Sequence, residues 1–164
     1  MTEKWLTGPV PGFDPMLMPV VHALLQVRED VRRTLDGLSD DQVWQRVGAS
    51  ATIGFHALHI AGATDRLLTY ARGEQLSEVQ VAAAREESRI SGLDAAALNA
   101  RVERAMEAAL EQVQRTPVST LTAPREVGRD HLPSTVIGLL FHAAEHAARH
   151  AGQMATLRRI AGQL

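Results

Sequence analysis

The histidines of this 164-residue sequence are concentrated in two short segments. Five of the seven lie there, His56 and His59 in the first segment and His142, His146 and His150 in the second. Neutral imidazoles are ligands for Zn²⁺, Ni²⁺, Cu²⁺ and Fe²⁺, and three of them leave coordination positions open for water or a substrate. This distribution makes a reactive divalent-metal site the leading hypothesis.

The spacing of the second segment lets one helix supply two ligands but not three. His146 follows His142 by four positions, and His150 follows His146 by four. Neighbours therefore lie about 6 Å apart along a helix, and the outer pair roughly 12 Å apart. Either neighbouring pair can chelate one ion, and the spacing does not choose between the pairs. The third ligand must come from elsewhere, and His59, on the inward stripe of its own helix, is the natural candidate.

Other chemical motifs are missing from the sequence. It has no HExxH, ExxH or GxSxG and no Gly-rich phosphate loop, which excludes zincin, di-iron, serine-hydrolase and nucleotide-binding arrangements. It also has no cysteine, which excludes disulfide scaffolds, cysteine-bound metals and a cysteine nucleophile. A purely structural role for the histidines stays open, because helix-stripe histidines are also found as hydrogen-bonded core residues.

The composition is that of an ordinary globular chain. Hydrophobic residues make up 45% and charged residues 22%. The formal net charge of −2 does not provide the positive charge typical of proteins that bind nucleic acid. Aromatic residues make up only 4%, so a core of Leu, Val, Ile and Ala is expected, which favours closely packed helices. No signal peptide and no apolar run of roughly 20 residues is present, so we expect a cytoplasmic protein without membrane or nucleic-acid partners.

Helices must position the histidines, and the sequence predicts four long ones. Capping residues, apolar periodicity and glycine or proline stops place them at about 14–36, 52–72, 94–115 and 134–160. Ser134 is the predicted cap of the last helix. Capping boxes beginning at Ser39 and Ser77 predict two short helices. Residues 117–133 contain three prolines and are predicted to form a loop.

The most economical fold is an all-α four-helix bundle. Residues 1–13 are rich in Gly and Pro and are expected to form an irregular lead-in, and residues 14–164 the bundle domain. The connection between the second and third long helices is about 20 residues long, enough to cross one end of a bundle. A simple up-down-up-down order is therefore not required.

Two blocks of the sequence resemble the DinB-like superfamily. They are SATIGFHALHIAGATDRLLTYARGE at 50–74 and HAAEHAARHAGQMATLRRI at 142–160. The family pattern has an aromatic residue shortly before His-Ile-Ala on the second helix and HxxxHxGQ on the last helix. Phe55, His59 and the stretch 146–153 match these positions, and the similarity extends loosely over residues 14–160.

The resemblance implies a bundle of DinB/YfiT type that binds one divalent metal through His59, His146 and His150. Zinc or nickel is the expected ion, with iron, manganese, cobalt or copper as alternatives. His56 and His142 are then expected to lie outside the ligand set, beside the site or in the core. Because members of this family often form homodimers, the resemblance also implies a homodimer.

The resemblance further implies an activity. Family members with assigned activities join a low-molecular-weight thiol, such as bacillithiol or mycothiol, to an electrophile, or isomerise a substrate with such a thiol. We therefore expect a metal-dependent thiol S-transferase or related detoxification enzyme, with a small-molecule thiol and an electrophile as its partners. No residue of the chain is assigned as the nucleophile. A metal-dependent hydrolase and a non-catalytic metal- or ligand-binding dimer are the alternatives.

Four other polar positions have competing interpretations. Gln153 could orient a ligand, or it could serve helix packing or a dimer contact. Arg66 could bind the carboxylate of an anionic thiol, although exposed charge is the commoner role of such a residue. Glu145 points about 100° away from His146 on a helix and is expected in solvent. Glu87 ends a charged run that is expected on the surface.

Overall fold

The computed structural model describes residues 2–89 and 92–161, which form six α-helices and one short β-hairpin. The helices are α1 (Met18–Leu35), α2 (Asp40–Trp44), α3 (Ile53–Ala71), α4 (Glu78–Glu86), α5 (Ala95–Arg115) and α6 (Val136–Ala161). The hairpin strands are β1 (Pro124–Val127) and β2 (Leu132–Thr135). Short 3₁₀ turns lie at Lys4–Leu6, Pro15–Leu17 and Val118–Thr120. The described chain is therefore mostly helical.

Most helices begin at the capping residues that the sequence indicated. The side chains of Thr52 and Asp94 accept hydrogen bonds from the third backbone N–H of α3 and α5. Ser39 and Ser77 both form complete capping boxes at α2 and α4. These bonds satisfy backbone donors that a helix leaves unpaired in its first turn. The sequence therefore predicted these four starts to within a residue.

Two helix starts differ from the prediction. Asp14 caps the 3₁₀ turn that follows it, and α1 itself begins at Met18. The difference follows from Pro19, which has no N–H and is tolerated only in the first turn of an α-helix. At α6 the hydroxyl of Thr135, not that of Ser134, accepts the N–H of Gly138 at 3.1 Å.

The prediction that residues 117–133 form a loop was wrong, because much of the β-hairpin lies in this segment. Strands β1 and β2 are antiparallel, with Pro124 opposite Thr135 and Val127 opposite Leu132. A two-stranded hairpin consists of edge strands only, and edge strands tolerate proline. The prolines therefore did not exclude strands as the sequence suggested. Gly128 at the turn has a φ of 73°, which suits a glycine.

The four longest helices share one core. Helix α6 packs against α1 and α3, and α5 packs against the same two helices from the other side. The core side chains are mainly Leu, Val, Ile, Met and Ala. The buried residues of α6 include Ala143, Ala144, Ala147 and Ala151. These small side chains allow close approach between α6 and its neighbours, which places the histidine segment of α6 beside that of α3.

The connection between α3 and α5 carries α4, which packs on α3. No residue within α4 is buried, so polar contacts contribute much of its attachment. The amide of Gln80 donates to Asp65 Oδ2 at 2.7 Å and to Thr69 Oγ1 at 2.8 Å. None of the described helices has the length and apolarity needed to cross a lipid bilayer.

Candidate metal centre

Three histidines from two helices meet where α3 packs on α6. His59, His146 and His150 each offer a ring nitrogen, and these three atoms lie within 4.8 Å of one another. The Nε2 atoms of His59 and His146 are 3.0 Å apart. Nitrogens bound at 2.0–2.1 Å around a tetrahedral zinc ion lie roughly 3.3 Å apart. The three histidines could therefore bind a metal ion after only small movements.

The two candidate ligands on α6 are separated by one helical turn. The ring centroids of His146 and His150 are 4.6 Å apart, and that of His150 is also 4.6 Å from His59. His142, one turn earlier, is 49% exposed, and its Nδ1 lies 3.5 Å from a Glu145 carboxylate oxygen. Because His142 is not part of the group that converges on His59, the structure favours the second of the two pairs that the spacing allowed.

The far side of the His59 ring is held by a buried carboxylate. His59 Nδ1 lies 2.8 Å from Glu87 Oε2, and Glu87 also accepts hydrogen bonds from Arg66. Burial by itself raises the pKa of the Glu87 carboxyl, but the hydrogen bonds and the charges of His59 and Arg66 together outweigh burial and lower it below its usual value. Glu87 is therefore charged and accepts the Nδ1 proton of His59. This leaves the His59 Nε2 lone pair facing the other histidines, as in the carboxylate–histidine–metal arrangement.

A glycine on α3 makes room for this carboxylate. A Cβ placed on Gly62 would lie 2.1 Å from Glu87 Oε1 and 2.8 Å from Arg66 Nη1, closer than real side chains approach. The ion pair of Glu87 and Arg66 therefore lies directly against the helix backbone. A larger residue at position 62 would have to displace it.

His56 supports the third histidine of the group. It is buried, and its Nδ1 lies 2.8 Å from His150 Nδ1. One of these nitrogens donates to the other. If His150 is the donor, its Nε2 is left free to bind an ion. His56 therefore lies beside the site and contacts a candidate ligand directly.

The surroundings favour the neutral imidazoles that metal binding requires. Burial, reinforced by the neighbouring histidines, lowers the pKa of His150 to about 4. Burial also lowers the pKa of His56 and of His146, again with a contribution from His59. Near neutral pH these three rings are therefore neutral, and each has one nitrogen with a free lone pair instead of two N–H groups.

Arg149 donates a hydrogen bond to Nδ1 of His146, the ring whose Nε2 faces His59. Its Nη2 lies 3.1 Å from His146 Nδ1, and its Nε forms an ion pair with Glu145. Since a guanidinium only donates, His146 Nδ1 accepts and its proton lies on Nε2. That proton points at His59 Nε2. Binding of an ion through His146 Nε2 requires this proton to leave, and with a proton on Nδ1 the ring no longer accepts from Arg149.

The aromatic residue of the α3 motif packs directly on the candidate ligand. The ring of Phe55 is nearly parallel to that of His59, at 11° and a centroid distance of 5.5 Å. Its edge contact with His56 has a similar centroid distance of 5.6 Å. Phe55 thus restricts the rotation of both α3 histidines, which share one turn of the helix.

Sequence reasoning missed part of this site. Glu87, expected on the surface, is 8% exposed and contacts His59. Arg66, for which exposed charge was the commoner expectation, is mostly buried against Glu87. Gln153 is exposed and forms no hydrogen bond with any described residue. The overlooked signal was Gly62, because a glycine inside a helix often marks a close approach of another group.

Comparison with known proteins agrees with the fold. Residues 23–154, which include both histidine segments, match the family described as the DinB superfamily. A solved structure of a DinB-like protein from Bacillus cereus ATCC 10987 is similar with a TM-score of 0.68 and 21% sequence identity. The similarity covers 87% of this chain and 91% of that one, and at this identity it bears on the fold alone. No curated protein sequence matches the chain.

Proposed function

The chain belongs to the DinB superfamily, and we propose that it binds one divalent metal ion through His59, His146 and His150. The observation that carries this proposal is the convergence of three imidazole nitrogens from two helices, with one ring oriented by the buried Glu87. Zinc or nickel is the ion we expect, and iron, manganese, cobalt or copper are alternatives, because imidazole is a ligand for each of them.

We further propose that residues 14–164 form one four-helix bundle domain of DinB/YfiT type, preceded by the lead-in at 1–13. The packing of α1 and α3 against both α5 and α6 supports this arrangement. The long connection between α3 and α5 is then part of the site as well, because it supplies Glu87.

For the activity, we propose metal-dependent transfer of a small-molecule thiol to an electrophile. Three protein ligands leave a coordination position open, whereas closed structural zinc sites use four. When bound, a divalent cation lowers the pKa of a coordinating thiol and so supplies a nucleophile at neutral pH. The thiol would lose its proton to solvent, its sulfur would form a bond to the electrophilic carbon, and the leaving group would depart with the electron pair of the broken bond. Since the chain has no cysteine, the sulfur must come from a small molecule.

The residues of the chain orient the ligands in this scheme. Glu87 keeps the proton of His59 on Nδ1, and His56 contacts the Nδ1 of His150. Phe55 restricts the His59 ring by stacking. None of these side chains has to move a proton during transfer, so their contribution is to hold nitrogen lone pairs in position. A homodimer in the cytoplasm is part of the same proposal.

Metal content is the first test. The tag-free protein, purified without nickel resin, is analysed by elemental mass spectrometry beside His59→Ala. We expect close to one ion per chain in the wild type and loss of most of it in the variant. Wild-type protein that stays empty after addition of zinc or nickel would overturn the metal proposal.

The activity is tested separately on metal-loaded protein. A low-molecular-weight thiol and an epoxide or haloalkyl probe are incubated with it, and the thioether product is measured by mass spectrometry. Turnover that requires both the thiol and the metal supports transfer. Consumption of the probe without thiol favours the hydrolase, and a stoichiometric metal without turnover favours the non-catalytic binding dimer.

A further inference from the structure

A cleft of about 580 Å³ lies between α3, α5 and the segment that leads into the hairpin. Its apolar lining includes Leu68, Ala71, Ala105, Ala108 and Val136. The three alanines leave space that larger side chains would fill. The cleft is separate from the histidine group, since none of the three candidate ligands lines it. Leu68 follows His59 by nine positions, which is about 14 Å along α3.

One arginine at this cleft is fixed by hydrogen bonds but has no carboxylate partner among the described residues. Arg125 donates from Nε to the carbonyl of Ala71 and from Nη1 to that of Pro124, both at 2.8 Å. Its Nη2 has no hydrogen-bond partner among residues 2–89 and 92–161, and no carboxylate there forms an ion pair with it. The two carbonyls therefore fix the guanidinium at the wall of the cleft.

The other charges of the cleft are already engaged. Arg72 is paired with Glu74, and Arg115 with Glu111. The carboxylate of Asp65 accepts a hydrogen bond from Gln80. Of the three arginines that line the cleft, Arg125 is the one without a carboxylate partner among the described residues, so it is the residue available to an anionic group.

We propose that this cleft binds a small organic monoanion, whose carboxylate or sulfonate contacts Arg125 and whose apolar body lies against Leu68 and the alanines. Its volume is within the range of small-molecule sites, roughly 300–1,000 Å³. Apolar surface combined with a few fixed polar groups is the usual construction of such sites. The charge-assisted hydrogen bond from Arg125 selects for the anion, and the alanine surface selects for an apolar body.

The test uses a fluorescent aromatic sulfonate, 8-anilinonaphthalene-1-sulfonate, and its uncharged counterpart, N-phenyl-1-naphthylamine. We expect the sulfonate to bind wild-type protein at one site per chain. Arg125→Gln should weaken sulfonate binding by about tenfold or more, while the affinity for the uncharged probe changes by less than about twofold. Ala108→Phe, at an exposed helix position, should fill the cleft and weaken both probes.

Matched variants separate this site from general effects of charge and from the metal centre. Arg129→Gln removes an exposed arginine of the same hairpin that does not line the cleft, and His59→Ala removes a candidate metal ligand. Both should bind the sulfonate like the wild type. Thermal unfolding of every variant checks that probe binding does not report unfolding. Wild-type affinity in both Arg125→Gln and Ala108→Phe, or equal losses in Arg125→Gln and Arg129→Gln, would overturn the proposal.

Discussion

His59 and Glu87, 28 residues apart in the sequence, are joined by a 2.8 Å hydrogen bond between Nδ1 and Oε2. Glu87 immediately follows α4, a helix with no buried residue, yet its own side chain is buried. The contact therefore ties the long connection to the candidate metal centre. It also determines which nitrogen of His59 faces His146.

Glu87→Gln tests whether this carboxylate supports metal binding. Glutamine is similar in size but carries no charge, so it holds the Nδ1 proton of His59 less strongly. We expect the affinity for zinc to fall by about ten- to a hundredfold, as is typical when the outer partner of a ligating histidine is changed. Competition with a chromophoric chelator measures it. The control is Glu86→Gln, an exposed neighbour that pairs with Arg89; equal losses in both variants would contradict a specific role of Glu87.

Gly62→Ala tests the same contact by steric displacement. The added methyl group cannot occupy its position unless the Glu87 carboxylate moves, because the two would be only 2.1 Å apart. We expect zinc affinity to fall at least as much as in Glu87→Gln. Gly152→Ala on α6 is the control, since a Cβ there meets nothing within 4 Å. That variant should keep its zinc affinity and gain up to about 1 kcal/mol in unfolding free energy from helix propensity. Unchanged zinc binding in both Gly62→Ala and Glu87→Gln would show that Glu87 is dispensable.

Much of the helical fold was predictable because its determinants are local. Capping boxes at Ser39 and Ser77 and side-chain caps at Thr52 and Asp94 each involve residues within one turn. The hairpin was not predictable in the same way. Its strands are only four residues long and contain prolines, so they show no periodic sequence pattern. They are stabilised by pairing with each other across the turn.

The candidate site was also predictable only where its determinants are local in the sequence. The pair His146 and His150 follows from helical spacing, but spacing allowed His142 equally, and only the family resemblance favoured the second pair. Glu87 could not be found from spacing at all. It is brought to His59 by the path of a connection that makes polar contacts with α3, and such a path has no sequence period. Gly62 was the local sequence feature that indicated this contact, because a larger residue there would meet the Glu87 carboxylate.

His142→Ala and His150→Ala together test the choice of ligand pair on α6. His142 lies outside the converging group and is half exposed, so its removal should leave the metal content near that of the wild type. Removal of His150 deletes one of three nitrogens and should abolish stoichiometric metal. Elemental analysis of both proteins in parallel measures the difference. Comparable losses would move the ligand pair one turn towards the N-terminus of α6.

The pH dependence of stability should reveal the buried histidines in chelator-treated protein. The pKa of His150 is about 4 when folded and about 6.5 in an unfolded chain. Between these values the unfolded state binds a proton that the folded state does not, so acidification favours unfolding. We expect the unfolding free energy from urea titrations to decrease as the pH falls from about 6.5 towards 4. His56 and His146, whose pKa values are also lowered, act in the same direction.

A variant isolates the contribution of His150 to that pH dependence. His150→Gln should show a shallower decrease of the unfolding free energy over the same range, because one group with a lowered pKa has been removed. His131→Gln, on the exposed hairpin turn, serves as the control and should follow the wild type. Identical slopes for the wild type and His150→Gln would show that His150 is not buried as a neutral ring.

Arg149 should oppose metal binding, although it contacts a candidate ligand. Its guanidinium donates to His146 Nδ1, which fixes the His146 proton on the nitrogen that faces His59. An ion bound at Nε2 displaces that proton, and an ion bound at Nδ1 displaces the guanidinium, so in either case the contact with Arg149 is lost. We therefore expect Arg149→Met to tighten zinc binding by up to about fivefold, since exposed charge interactions seldom exceed about 1 kcal/mol. Arg159→Met, exposed on the same helix, is the control for the loss of one positive charge. Weaker zinc binding in Arg149→Met than in Arg159→Met would instead make Arg149 a supporting residue of the site.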